Sequence, residues 1–209
     1  VLLSAIAAGL LLTILRAKLT GRTLKSIKLK FGWLVFIAVL PQVIVFQIPA
    51  IGRQIPESVI PAILVLSQGL LLGFAATNVI IPGFWVLGLG LLANFSAIIL
   101  NRGWMPISPD IVHRILPTLP DDIALAGQRL GYSKDWIYAY PDIHLPWLSD
   151  RLTLPEWSPY QVAFSFGDIL IAVGAIWLLW SLSDPEKGDK MSVLNQVDHF
   201  EPTSPKMYL

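Results

Sequence analysis

Apolar runs separated by short loops constrain this chain more than any other feature. They cover Val1–Leu15, Phe31–Ile48, about Ile60–Ile80, Phe84–Leu100 and Val162–Leu182. A helix needs roughly 20 apolar residues to cross a bilayer, and a shorter one manages when flanking basic side chains reach for the surface. With 55% hydrophobic residues, 14% charged residues and a mean hydropathy of +0.65, the 209-residue chain is too apolar for an ordinary soluble domain. The predicted fold class is all-α, a polytopic membrane protein with five transmembrane helices and an external aromatic-rich cap. Residues 1–100 hold helices one to four, 101–160 the cap, 161–182 helix five and 183–209 a cytoplasmic tail.

Charge sets the orientation. Residues 16–30 contain six basic side chains and no acid, so by the positive-inside rule this loop faces the cytoplasm and the N-terminus lies outside. The tail then begins inside, as expected for a multi-pass protein of a bacterial cytoplasmic membrane. A net charge of +1 gives no reason to expect a nucleic-acid partner, and the absence of cysteine removes disulfides and thiol chemistry. Gly69 and Gly73 form a Gly-x-x-x-Gly pair in the third run, a spacing that lets helix backbones approach closely.

The cap carries Trp104, Trp136, Trp147 and Trp157 with Tyr132, Tyr138, Tyr140 and Tyr160. Such side chains collect where one end is apolar and the other wet. Short helices are predicted over Pro109–Ile115 and Asp121–Leu130, the second ended by Gly131. Tyr132–Leu148 is too rich in proline and aromatics for a regular element. The cap is expected to lie flat on the outer leaflet.

Two acids stand out. Asp168 is the one ionisable residue in the fifth apolar run, and an acid there costs about 2.5–3.5 kcal/mol near a helix centre. With the helix starting near Pro159, it would lie nine residues in. Asp150 precedes it in Ser149-Asp150-Arg151. Two carboxylates at close range in a poorly solvated place share a proton and can activate water against a carbonyl. The plainer reading makes Asp150 and Arg151 a solvated pair. Asp168 then accepts hydrogen bonds from a neighbouring helix or from Ser165.

Asn101-Arg102-Gly103, Asp150-Arg151 and Phe164-Ser165-Phe166-Gly167-Asp168-Ile169 together resemble the pattern of the prolipoprotein signal peptidase family, signal peptidase II. That resemblance implies Asp150 and Asp168 as a catalytic pair with Asn101 in support. The sequence departs from the family in having Gly167 before the second acid, Ser165 for asparagine, and an extra helix. As a whole-chain pattern, Asn101-x-Gly103-x-Met105-Pro106 with Ser165-x-Gly167-Asp168 is similar to a bacterial five-helix membrane family of unknown function, which implies no activity. Gly103, Pro106, Arg151 and Gly167 are carried over as structural or partner-contacting positions.

His113, His144 and His199 all fall outside the apolar runs, so no haem or pigment ligation by histidine is expected in the bilayer. A loop histidine such as His144, near Asp142 and Asp150, is more often a packing residue than a metal ligand. No cofactor and no metal are predicted. The polar tail, with Pro185, Pro202 and Pro205, lacks the apolar side chains to fold alone. It is expected to lie on other subunits. The function predicted is a non-catalytic accessory or stabilising subunit of a larger membrane complex, held by lipid and by partner subunits through cap and tail. The alternative is an aspartyl membrane peptidase.

Overall fold

The computed structural model describes residues 27–120 and 125–182, together with Leu15, Lys18 and Leu19. Residues 1–14 of the first apolar run and the tail 183–209 lie outside the described residues. Four long helices follow the remaining runs: α1 (Trp33–Gln47), α3 (Ile60–Thr77), α4 (Phe84–Leu100) and α6 (Phe166–Ser181). A single turn, α2 (Pro49–Gly52), follows α1. By length and composition, α3 is long and apolar enough to cross a membrane, and α1, α4 and α6 are shorter apolar helices. They are arranged in the order α1, α3, α4, α6, each packed on the next, and α4 and α6 share the largest contact.

That contact is set by glycine. A Cβ on Gly90 would lie 2.5 Å from the Gly167 carbonyl oxygen and 2.7 Å from the Ile171 amide nitrogen. At the other end, a Cβ on Gly83 would lie 2.6 Å from the Leu178 nitrogen, and one on Gly174 would lie 2.8 Å from the Gly83 oxygen. Real side chains do not fit at such distances, so the antiparallel pair closes backbone to backbone. Both helices carry their glycines seven residues apart, about two turns, which keeps them on one face. The Gly69/Gly73 pair is different. Gly69 has only a Phe95 ring atom at 3.9 Å, and Gly73 has nothing within 4 Å. No backbone approaches the helix there.

Between α4 and α6 the chain builds a small α/β cap. Strand β1 (Met105–Ile107) pairs in parallel with β3 (Asp135–Ile137), and β2 (Gln128–Arg129) pairs antiparallel on the other side of β3. The parallel connection contains α5 (Pro109–Ile115), the predicted first short helix. Strands β4 (Leu152–Thr153) and β5 (Ala163–Phe164) form a second ladder. Two 3-10 turns, Tyr140–Asp142 and Pro146–Leu148, complete the cap.

The cap corrects the helical expectation for Asp121–Leu130. Residues 121–124 lie outside the described residues, 126–127 form a turn and 128–129 a strand. The Gly127 amide donates to the Ile137 carbonyl (2.8 Å) and the Leu130 amide to that of Asp135 (2.9 Å). Pairing with a partner strand satisfies these groups, and a helix this short is marginal by itself. Tyr132–Leu148, expected to be irregular, supplies the central strand.

Cap and bundle share their cores. Ile107, Ile111, Val112, Leu125 and Ile137 pack within the cap. Met105 enters the bundle end beside Leu64, Ala97 and Ile98, while Trp104 joins Val45 and Ile60. Two cations pin the β2–β3 hairpin to the α1–α2 corner. Arg129 lies over the rings of Phe46 (5.4 Å) and Trp104 (5.5 Å), and Arg53 over Tyr132 (5.1 Å).

Candidate functional site

The start of α6 explains how an acid is accommodated in an apolar segment. Ala163 and Phe164 are spent on β5, Ser165 is the N-cap, and Asp168 occupies the third helical position. Asp168 therefore sits in the first turn, not the nine residues deep predicted from a start near Pro159. The Ser165 hydroxyl accepts from the Asp168 amide (3.1 Å), and the Ser165 amide donates to Asp168 Oδ2 (3.1 Å). This reciprocal capping satisfies two orphan amides and places an acid at the positive end of the helix dipole.

Asn94 on α4 closes the arrangement into a ring. Its Nδ2 donates to Asp168 Oδ1 (2.9 Å), and its Oδ1 accepts from the Ser165 hydroxyl (2.8 Å). A Cβ on residue 167 would collide with Asn94 Oδ1, which is why glycine stands there. Both carboxylate oxygens of Asp168 thus receive a donor. The neighbouring helix and Ser165 supply them, as the plainer sequence reading describes.

Asn101, at the C-cap of α4, is also fully engaged. Its Nδ2 donates to the carbonyls of Ala97 (2.7 Å) and His144 (2.8 Å), and its Oδ1 accepts from the His144 amide (2.9 Å). Its own carbonyl accepts from Tyr138 Oη (2.9 Å). The side chain imitates a strand partner and clamps the cap to the helix end. Asn78 does the same at the end of α3, holding both backbone groups of Lys30 at 2.9 Å while donating to the Phe74 carbonyl. Gly103, at φ +84° against Pro61, turns the chain from α4 into β1.

Asp150 is 1% exposed and faces away from Arg151. Its Oδ2 lies 2.5 Å from Lys134 Nζ, which also reaches Asp135 Oδ1 at 3.3 Å. Its amide donates to the Pro106 carbonyl (3.0 Å), and its Oδ1 is buried without a hydrogen-bond partner. Arg151 turns outward, its guanidinium 5.3 Å from the Trp147 ring centre. The solvated Asp150–Arg151 pair is thereby corrected: the acid docks inward on a lysine sixteen residues upstream.

Burial pushes the Asp150 carboxyl well above the usual carboxylate range. Lys134 pulls it back, and Asp135 and Asp168 push it further up. Burial disfavours the Lys134 ammonium as well, but Asp135, Asp150 and Asp168 together hold its pKa above the ordinary lysine value. The two predicted acids therefore influence each other electrostatically, and of the two only Asp150 is paired with Lys134. Asn101 faces His144 instead. A cleft of about 680 Å³ beside Asn101 is lined by Arg102, Trp136, Tyr138, Asp142 and His144, with neither Asp150 nor Asp168 in its wall. Among the described residues no group of three or more metal-ligating side chains comes together.

Lys134 and Asp135 escape the sequence reading, and Asn94 enters it only as a polar residue buried in the fourth apolar run. The Ser-x-x-Asp spacing at 165–168 is a capping-box signature, which predicts a helix start at Ser165, later than Pro159. Nothing local marks Lys134.

The structure thus defines a layer of apolar helices closed at one end by a cap, with a buried ionic junction between them. Residues 26–180 match a family described as a family of unknown function (DUF5317), and the chain belongs to it. No curated protein and no solved structure matches the chain.

Proposed function

We propose that this protein is an integral membrane subunit of accessory or stabilising type, non-catalytic, in a larger bacterial membrane complex. One observation carries the reading: the two acids that would do chemistry are engaged in holding the structure. Asp168 is saturated by Asn94 and Ser165, and Asp150 is buried within the cap on Lys134. Membrane insertion is supported by the outward side chains of the helices. Phe36, Leu40, Leu66 and Ile99 keep half or more of their surface exposed, and such a belt suits lipid or partner helices. At the cap end, Trp147 and Trp157 are 69% and 84% exposed, as befits a headgroup layer or a partner surface. Five helices with the N-terminus outside and the C-terminus inside complete the proposal.

Purification from native membranes in mild detergent tests it. The protein is expected to elute with larger partners, and Asp168→Asn is expected to leave that association in place wherever it folds. Elution as a lone monomer from every native membrane preparation would count against the proposal.

A second reading, an aspartyl membrane peptidase, draws on the partnerless Asp150 Oδ1 and on the electrostatic influence of Asp168 on Asp150. It requires that a membrane substrate be cleaved by the wild type and spared by a folded Asp168→Asn variant.

A further inference from the structure

Around Lys134 the chain sets one ammonium against two paired carboxyl groups, Asp135 at the start of β3 and Asp150 before β4, with Asp168 on α6 adding its negative field. Fully ionised, the cluster carries two uncompensated negative charges at a largely desolvated junction. Asp168 has a donor on each oxygen. Asp135 shares Lys134, and its side chain keeps some solvent. Asp150 differs from both, since one of its oxygens is buried with no donor at all. An unsatisfied buried acceptor demands an explanation, and a carboxyl in such a place gains most from a proton.

We propose that the cap–bundle junction is a proton-binding site, with the proton carried on Asp150 Oδ1, and that cap docking is therefore pH-dependent. The groups facing Asp150 are Lys134 and Asp135 from the β3 side and Asp168 from α6. Arg151, next in the chain, is turned to Trp147. A third of the Lys134 side chain is accessible, so the proton has a route to solvent.

Burial raises the Asp150 pKa in the folded state, so the folded chain holds this proton more tightly than the unfolded chain does. The stabilisation is fully present below the ordinary aspartate pKa of about 3.9 and is lost as pH rises through the folded value. Lys134, also raised, stays charged through this whole range. Docking of the cap therefore tightens as the outer medium acidifies. This holds whether or not the chain is a subunit of a complex.

Infrared spectroscopy of the full chain, titrated downward from alkaline to acid pH, tests the assignment. A protonated-carboxyl band is expected to grow on acidification, to vanish in Asp150→Asn and to persist in Asp168→Asn. Amide exchange at residues 134–137 is expected to slow in step with it. Should Asp150→Asn fail to fold, Asp135→Asn decides. Removing that negative charge is expected to move the midpoint down by about one pH unit. An absent band, a band lost in Asp168→Asn but kept in Asp150→Asn, or a midpoint indifferent to Asp135→Asn overturns the proposal.

Discussion

Gly90→Leu is expected to pull α4 away from α6 and to destabilise the fold by at least about 3 kcal/mol, the upper end of typical overpacking costs. The new Cβ would press on the Gly167 carbonyl and the Ile171 backbone. Neither is the flexible end of a side chain, so the helices must separate. Separation also breaks the Asn94–Asp168 bond, which spans the same interface. Against a total stability of roughly 5–15 kcal/mol, most of the population is expected to unfold on modest warming. Gly73→Ala is the matched control. With nothing within 4 Å of its Cβ position, it should be neutral or stabilising by up to about 1 kcal/mol through helix propensity. Thermal unfolding followed by circular dichroism compares the two variants. Equal melting temperatures would mean that the glycine contact does not hold the bundle together.

Lys134→Met is expected to be the most damaging change in the cap, at about 3–5 kcal/mol, because it leaves a buried carboxylate without its counter-charge. The loss should depend on pH. Without the ammonium, Asp150 can relieve its isolation only by taking a proton, so the penalty shrinks on acidification and is largest at neutral pH and above. Arg151→Met, next to the same acid, should cost no more than about 1 kcal/mol, since it removes an exposed cation–π contact. Chemical denaturation of both variants at neutral and mildly acid pH measures the contrast. If Arg151→Met were the costlier change, the assignment of Lys134 as the partner of Asp150 would be wrong.

What is legible in the residues follows from the range of the interactions involved. The long described helices are announced by runs of apolar side chains, and α5 by Ser108-Pro109 ahead of a short apolar pattern. The β2–β3 hairpin is not readable. Gln128–Arg129 and Asp135–Ile137 are two and three residues long, and what makes them strands is pairing with each other and with Met105–Ile107. The apolar run continues upstream of Ser165 and so puts Asp168 too deep, although the capping residues that end it are present. A Gly-x-x-x-Gly spacing draws attention to Gly69 and Gly73. The faces that do meet are marked by a repeated seven-residue interval, Gly83 to Gly90 and Gly167 to Gly174, visible only when two runs are compared. Lys134 looks like any loop lysine until the fold brings Asp150 to it.

That Asp168 is a capping carboxylate held by Asn94 is tested most directly by a double-mutant cycle between the two residues. Asn94→Ala and Asp168→Asn, alone and combined, should show a coupling of about 1–3 kcal/mol in unfolding free energy, as for a hydrogen bond to a charged group. Additivity within about 0.5 kcal/mol would contradict it, for the acid would then be free for other work.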